Sequence, residues 1–353
     1  MPRADRRLRL LDLFAGCGGL TQGFLTTGAY RAVGAVERDP DAAATYAVNH
    51  GDHVHPGDIS TWVRGSLHLA EVVVGGPPCQ GFSALGRRDD ADPRNSLWQR
   101  YVDVVVRVRP AMFVLENVPQ FLEGPEFAAL VDASETGGRL HAWELEAHVL
   151  DASRYGVAQA RKRAFVIGRP RGTRALGRPT ENVRQRTLAD ELGDVPPVVT
   201  DVDLPDGRVV VHGRSSPGSF TTRQLHLTGR PSPISQERYR SIPPGGSRLD
   251  LPDRLKLPAW RGDYRGAADV MGRLRWDRPA VTLRTEFFRP EKGRFLHPDQ
   301  DRALTHFEAA RLQGFPDDYL WCGSKASIAR QIGNAVPVPL AAAVGRQLAA
   351  VLT

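Results

Sequence analysis

Near-continuous apolar runs alternating with helix-period segments organise the first 170 residues. Leu8–Phe14 (Leu-Arg-Leu-Leu-Asp-Leu-Phe) predicts a buried strand, followed by a glycine-rich turn and a short helix near Thr21–Thr27. Arg31–Glu37 predicts a second strand and Asp41–Asn49 a helix. His53–Asp58 fits a short third strand, and Glu71–Val74 a fourth that ends at Gly75-Gly76-Pro77-Pro78. Asn95–Val108 has helical periodicity and stops at Pro110. Ala111–Leu115 predicts a fifth strand, and Trp143–Leu150 with Arg163–Ile167 alternates as a hairpin. Strands that are apolar throughout and separated by helices build a largely parallel α/β sheet with both faces covered.

Beyond Gly168-Arg169-Pro170 the pattern changes. From 196 to 270 the chain is rich in Pro, Gly, Ser and Arg and dense in turns, as at Ser215–Ser219 and Ile242–Gly246, with no long helix period. Phe220, Leu225, Leu227, Tyr239, Leu251, Leu257 and Trp260 offer core material, which favours a second, smaller, mostly β and irregular domain over disorder. Helical pattern returns at Thr305–Gln313 and at Pro337–Leu352, and the last helix is apolar enough to dock on the first domain.

Composition narrows the class. The 353 residues are 41% hydrophobic, enough for a large core, and no run of about 18 apolar residues suggests a membrane span. The apolar stretch after Met1–Arg7 is too short and too charged to read as a secretory signal. Cys17, Cys79 and Cys322 form an odd, sparse set without CxxC spacing. That argues against disulfides and a structural zinc site, and points to a metal-free protein of the reducing cytoplasm. The net charge of +7 is carried almost wholly by arginine, the only lysines being Lys162, Lys256, Lys292 and Lys325. A basic balance suits a polyanionic partner without requiring one.

The chemistry-bearing residues fall at predicted strand ends. Phe14-Ala15-Gly16-Cys17-Gly18-Gly19-Leu20 joins a strand to a helix, where glycines let a ligand approach the backbone; the alternative is a turn with a packing role. Its GxGG form departs from the GxGxxG of dinucleotide sites. Glu37 closes the second strand at the spacing of a ribose-binding acid, and Asp58 ends the third, within reach of an adenine amino group. Cys79, in Pro77-Pro78-Cys79-Gln80, follows the fourth strand in a rigid loop suited to a thiolate nucleophile, although a lone Cys is commonly an inert buried thiol. Glu116, in Glu116-Asn117-Val118, follows the fifth strand, where a partly buried carboxyl can act as an acid. Arg161 and Arg163, in Gln159-Ala160-Arg161-Lys162-Arg163, alternate on one face and are expected to meet one anionic or carbonyl group, with Lys162 pointing away.

In content, order and spacing these motifs, together with Gln331-Ile332-Gly333-Asn334-Ala335-Val336-Pro337, closely resemble the cytosine-C5 DNA methyltransferase family of prokaryotic type. Arg273–Thr285 is similar to the family's segment that supports the target-recognition domain. The resemblance spans almost the whole chain. It implies a Rossmann-like, doubly wound S-adenosylmethionine-binding domain at 1–195 plus 326–353 and a DNA-binding target-recognition domain at 196–325. It implies that Cys79 adds to C6 of a cytosine flipped from duplex DNA, that Glu116 engages N3 and the exocyclic amine, that Arg163 holds O2, and that Arg161 helps position the base. The implied cofactor residues are Phe14, Gly16, Gly18, Gly19, Glu37, Asp58, Ile59, Pro78, Leu97, Asn334 and Val336. Arg38 stands where some members carry an aromatic residue, and its planar guanidinium can stack in that place. Gln80, Ser83, Arg87 and Arg88 are implied contacts to double-stranded DNA, Ser83, Arg87 and Arg88 as backbone clamps. Arg223, Gln224, Arg230, Gln236, Arg238 and Arg240 are candidate base readers, with arginine suited to guanine and glutamine to adenine.

A monomer is expected, with a companion restriction endonuclease compatible but not required. Competing readings are an RNA cytosine methyltransferase of the same fold, disfavoured by the long insert before Gln331, and a catalytically silent DNA-binding regulator, disfavoured by the presence of Cys79, Glu116 and Arg163. An NAD-dependent dehydrogenase is disfavoured by the GxGG turn and the cysteine loop.

Overall fold

The computed structural model describes residues 5–78, 97–182, 184–261 and 266–353. They form two compact units: Met1–Tyr155 with Lys162–Val183 and Val336–Thr353, and Gly156–Arg161 with Arg184–Ala335. The first unit runs β1 (Leu8–Leu13), α1 (Gly19–Leu25), β2 (Tyr30–Glu37), α2 (Pro40–His50), β3 (Val54–Pro56), α3 (Ile59–Trp62) and β4 (Val72–Gly75). It continues through α4 (Leu97–Val108), β5 (Met112–Asn117), α5 (Pro125–Ser134), β6 (Trp143–Asp151) and β7 (Lys162–Pro170). The second unit holds α6 (Leu188–Leu192), β8 (Arg208–Val211), β9 (Arg214–Pro217), β10 (Phe220–Thr221), α7 (Pro233–Arg240), α8 (His306–Leu312), β11 (Leu320–Trp321) and α9 (Lys325–Asn334). The chain then rejoins the first unit with α10 (Val338–Leu352).

The seven-stranded sheet has the order β3-β2-β1-β4-β5-β7-β6. β1 to β5 are parallel, and β7 runs antiparallel to both β5 and β6, as the alternating hairpin pattern predicts. Strand order reverses between β1 and β4, the point where doubly wound sheets open a crevice at their carboxyl ends. Leu11, Leu13, Val73, Phe113, Leu115 and Val166 fill the core with Tyr101, Val104 and Val105 of α4. The Tyr101 hydroxyl donates to the carbonyls of Val114 (2.8 Å) and Val73 (3.2 Å), so this buried phenol ties α4 to β4 and β5.

The docking expected of the last helix takes place within the first unit. The Tyr30 hydroxyl donates to Gly345 O at 2.7 Å, and Gly23 of α1 faces α10 directly. A Cβ at Gly23 would fall against Ala341 Cβ and 2.6 Å from Val338 O. Gly23→Ala is therefore expected to cost about 1–3 kcal/mol by overpacking, measured as a lower urea midpoint with an unchanged slope.

The second unit is short-stranded and turn-rich, with two-stranded antiparallel pairs β8–β9 and β10–β11. Segments 156–161, 184–195 and 326–335, expected in the large domain, belong to this unit. Helix α7 lacks the apolar stripe that marks a helix in sequence, but it carries a serine N-cap, Ser232, as α9 does in Ser324. Among the described residues, no single helix is long and apolar enough to cross a membrane, and no cluster of His, Cys, Asp or Glu is placed to hold a metal.

Candidate active site

Lateral register aligns Leu13 with Val36 and with Gly75, and Gly75 with Leu115. The residues that follow, Phe14, Glu37, Gly76 and Glu116, therefore emerge together at the carboxyl edge of the sheet. The β1–α1 turn is sharply bent. Phe14, Gly16 and Gly18 all have positive φ (58°, 56° and 88°). Glycine takes this conformation freely, but for phenylalanine it is strained by about 1–3 kcal/mol, a cost met mainly at functional sites. Glu37 holds the turn: its Oε2 accepts from Gly16 N at 2.8 Å and its Oε1 from Asp39 N at 2.6 Å. Burial pushes the Glu37 carboxyl up, against the pull of these N–H donors. Gly19 opens α1.

At the next strand end Asp58 caps α3, accepting from Ser60 N at 2.7 Å. That bond holds its carboxyl below the usual range, with the nearby positive charge of Arg38 a lesser cause. Arg38 itself is exposed. Ile59, the first residue of α3, is buried in the core. Leu97, at the start of α4, rests half-buried against the same core. Pro78 is exposed, Val336 is buried, and Asn334 is the exposed last residue of α9.

Beneath the turn lies a buried acid absent from the sequence-based expectations. Asp12 is 0% exposed; its Oδ2 accepts from Thr21 Oγ1 at 2.7 Å, and its Oδ1 has no hydrogen-bond partner among the described residues. Burial pushes its carboxyl up to about 7. The folded state then holds a proton that the unfolded chain releases near pH 4. This group's contribution is complete below that pH and is lost as pH rises towards 7, by up to about 4 kcal/mol. Asp12→Asn keeps an acceptor for Thr21 but cannot ionise. Urea midpoints at pH 5 and 8 are expected to diverge less in Asp12→Asn than in the wild type; parallel pH profiles would refute the assignment.

At the β4–β5 edge, Arg163 Nε lies 3.0 Å from Glu116 Oε1, both side chains being largely buried. Arg163 also donates to Lys162 O at 2.8 Å, while Lys162 is exposed. A Cβ on Gly76 would sit 2.7 Å from Glu116 Oε2, so glycine is what admits the carboxylate here. Asn117 Nδ2 donates to Pro77 O at 3.2 Å, fastening the start of the Pro-Pro-Cys segment to β5. From sequence, only Glu116 of the Glu116-Asn117-Val118 motif is given a role, as an acid, and Asn117 none. Cys79, Gln80, Ser83, Arg87 and Arg88 lie outside the described residues.

Arg161 departs from the expected pairing with Arg163. It is 1% exposed, and its terminal nitrogens donate to Leu283 O and Gly333 O, both at 2.8 Å. Because β7 begins only at Lys162, strand alternation does not extend to Arg161, and its guanidinium braces main chain instead. Gln159 and Gln313 extend this brace. Gln159 Nε2 donates to Leu312 O and Gln313 Oε1, its Oε1 accepts from Leu283 N, and Gln313 Nε2 donates to Ile332 O at 2.6 Å.

The C-5 cytosine-specific DNA methylase family matches residues 8–350. The chain belongs to that family. It is 32% identical to the Type II methyltransferase M1.HphI of Haemophilus parahaemolyticus, over 96% of this chain and 85% of that one. It is also 32% identical to the Type II methyltransferase M.AgeI of Thalassovita gelatinovora, over 97% and 98%. In fold it is similar to a solved DNA modification methyltransferase encoded within an E. coli prophage, with a TM-score of 0.71 and 24% identity over 98% of this chain and 99% of that one. The Dnmt2 methyltransferase of S. pombe is similar at a TM-score of 0.59, with 16% identity over 98% and 99%.

In this cytosine-C5 methylase several of the expected base readers have partners of their own. Arg223 pairs with Asp317 at 2.7 Å and Arg240 with Asp301 at 3.5 Å, while Arg238 Nε donates to Leu255 O at 2.8 Å. Gln224 completes the capping box of Thr221. Arg238 and Gln224 thus have local structural duties. Arg223 and Arg240 are highly exposed, and exposed pairs of this kind are weak enough to exchange.

Proposed function

We propose that this methylase flips a cytosine out of duplex DNA and methylates its C5 through a covalent adduct at C6. The supporting observation is the Glu116–Arg163 pair at the carboxyl edge, beside the Pro77-Pro78 segment that Asn117 fastens. The Cys79 thiolate forms a bond to C6 and drives a ring electron pair towards C5, making that carbon nucleophilic. Glu116 shares a proton with N3 and meets the exocyclic amine, neutralising the charge that addition places on the ring. Arg163 donates to O2 and, through its pairing, orients Glu116. Once C5 carries the methyl group its proton leaves, the C6–S bond breaks and the aromatic ring returns.

The β1–α1 turn fits S-adenosylmethionine, which would supply an electrophilic sulfonium methyl. Positive-φ glycines Gly16 and Gly18 leave the backbone open to a ligand, and Glu37, Arg38 and Asp58 offer groups for ribose and adenine. Phe14, Gly19, Ile59, Pro78, Leu97, Asn334 and Val336 are proposed to complete that site, and Arg161 to act by bracing rather than by contact. The catalytic part is proposed at 1–195 plus 326–353 and the target-recognition part at 196–325. Relatives named as type II methyltransferases support a role beside a restriction endonuclease on the same site. Unstacking the base costs a few kcal/mol, offset by phosphate contacts, so binding is expected to weaken with salt. Bisulfite sequencing of duplex DNA treated with the protein and S-adenosylmethionine, beside a parallel tRNA assay, tests the reading. Converted cytosines throughout the DNA, or methylation confined to tRNA, would overturn it.

A further inference from the structure

The stretch from Arg248 to Arg261 in the second unit, whose charged side chains have no role above, folds as three successive single-turn helices at Arg248–Asp250, Asp253–Leu255 and Pro258–Trp260. Pro252 and Pro258 stiffen the joints, and Arg238 fastens the segment through Leu255 O. A cup of about 530 Å³ opens along it, lined by Arg248, Arg254, Lys256, Arg261, Asp253 and Trp260. Arg248 is fixed at its base: it is buried, and its Nε and a terminal nitrogen donate to Ala267 O and Gly266 O, each at 3.0 Å. Trp260 is half-buried, packed against the cluster of Tyr239, Ile242, Leu251, Leu255, Met271 and Leu296.

The charges point to an anion. Arg254 pairs with Glu237, and Lys256 with Asp253 at 2.8 Å. Counting both carboxylates, the four cations Arg248, Arg254, Lys256 and Arg261 still exceed them by two among these described residues. Asp253 is 89% exposed and Arg254 66% exposed. Ion pairs that open to water contribute about 0–1 kcal/mol, so a phosphate can replace their carboxylates at little cost. The volume falls within the roughly 300–1,000 Å³ of small-ligand sites, more than a single phosphate fills. Arginines beside a rigid aromatic wall match a sugar-phosphate unit, with phosphate on the guanidinium forks and the sugar against the indole. We propose that this cup is a backbone-binding site for duplex DNA, placed by Arg254, Lys256, Arg261 and Trp260. It anchors the duplex without reading its sequence. The proposal rests on the DNA-methylating reading above and adds the surface that holds the duplex.

The test is fluorescence anisotropy of a labelled duplex with the full chain, titrated across salt concentrations. Each lost phosphate contact lowers the slope of log K against log salt by about 0.9. Arg254→Ala with Arg261→Ala should therefore lower it by about 1–2 while the bisulfite pattern of methylated positions stays the same. Arg254→Lys with Arg261→Lys, which retains charge, should keep most of the slope. Trp260→Ala should weaken binding with no change of slope. A double alanine variant with the wild-type slope overturns the site, as does a lysine variant that loses as much slope as the alanine one. If the substitutions alter binding of polyglutamate but not of DNA, the cup serves an acidic protein and the proposal fails. A wild-type chain that binds no duplex at low salt overturns the proposed function itself, whereas wild-type binding with an unaltered variant slope overturns only the cup.

Discussion

Cys79→Ser is expected to lower the methylation rate by on the order of 10⁴-fold or more while leaving duplex affinity within about threefold. C6 of cytosine is a weak electrophile, and a serine hydroxyl is far too weak an acid to present an alkoxide near neutral pH. No other cysteine replaces Cys79. Cys17 and Cys322 are buried, and burial pushes the Cys17 thiol up to about 12. Cys322→Ala should accordingly cost stability and not turnover. The covalent step can be caught directly. With fluorine at C5 of the target cytosine, the group that must leave after methylation is no longer a proton, so the C6–S bond cannot break by elimination. Wild-type protein mixed with such a duplex and S-adenosylmethionine should gain the mass of the oligonucleotide and one methyl group, and Cys79→Ser should not. A serine variant that methylates at the wild-type rate, or a wild type that forms no adduct, removes the nucleophile from the mechanism.

The sheet was legible because parallel strands buried on both faces leave an apolar signature. Val72-Val73-Val74 is such a run, and the candidate acids Glu37, Asp58 and Glu116 sit at or near strand ends. The hairpin β6–β7 was legible by alternation. Arg161 shows where this logic stops. Its partners are main-chain carbonyls 122 and 172 residues away, and a carbonyl looks the same in every residue. Gln159 and Gln313 were opaque for the same reason. Asp12 was read simply as part of an apolar strand, although a carboxylate inside such a run is itself a signal, since burying it unpaired is costly and favours its neutral form. Helix α7 was hidden by its polar composition, but Ser232 followed by Pro233 is a start signal that periodicity alone overlooks.

Glu116→Gln is expected to lower kcat by about 10²–10⁴-fold, the range lost when a positioned acid is removed. Glutamine keeps the size and one carbonyl acceptor, so the fold and the approach to Gly76 are preserved. It cannot shuttle a proton to N3, and it offers Arg163 a neutral oxygen in place of a carboxylate. Arg163→Ala acts on the same unit from the other side. It removes the 3.0 Å contact that fixes Glu116 and, on the proposed reading, the donor to O2. If the two side chains work together, the double variant should be little slower than the slower single one, because groups that act as a unit are non-additive. Independent contributions would instead multiply. Single-turnover methylation of a duplex by the wild type, both single variants and the double variant separates these outcomes. A Glu116→Gln enzyme within threefold of wild type would show that the carboxyl only packs against Arg163. Multiplicative losses would leave both residues essential and remove the coupling that their geometry implies.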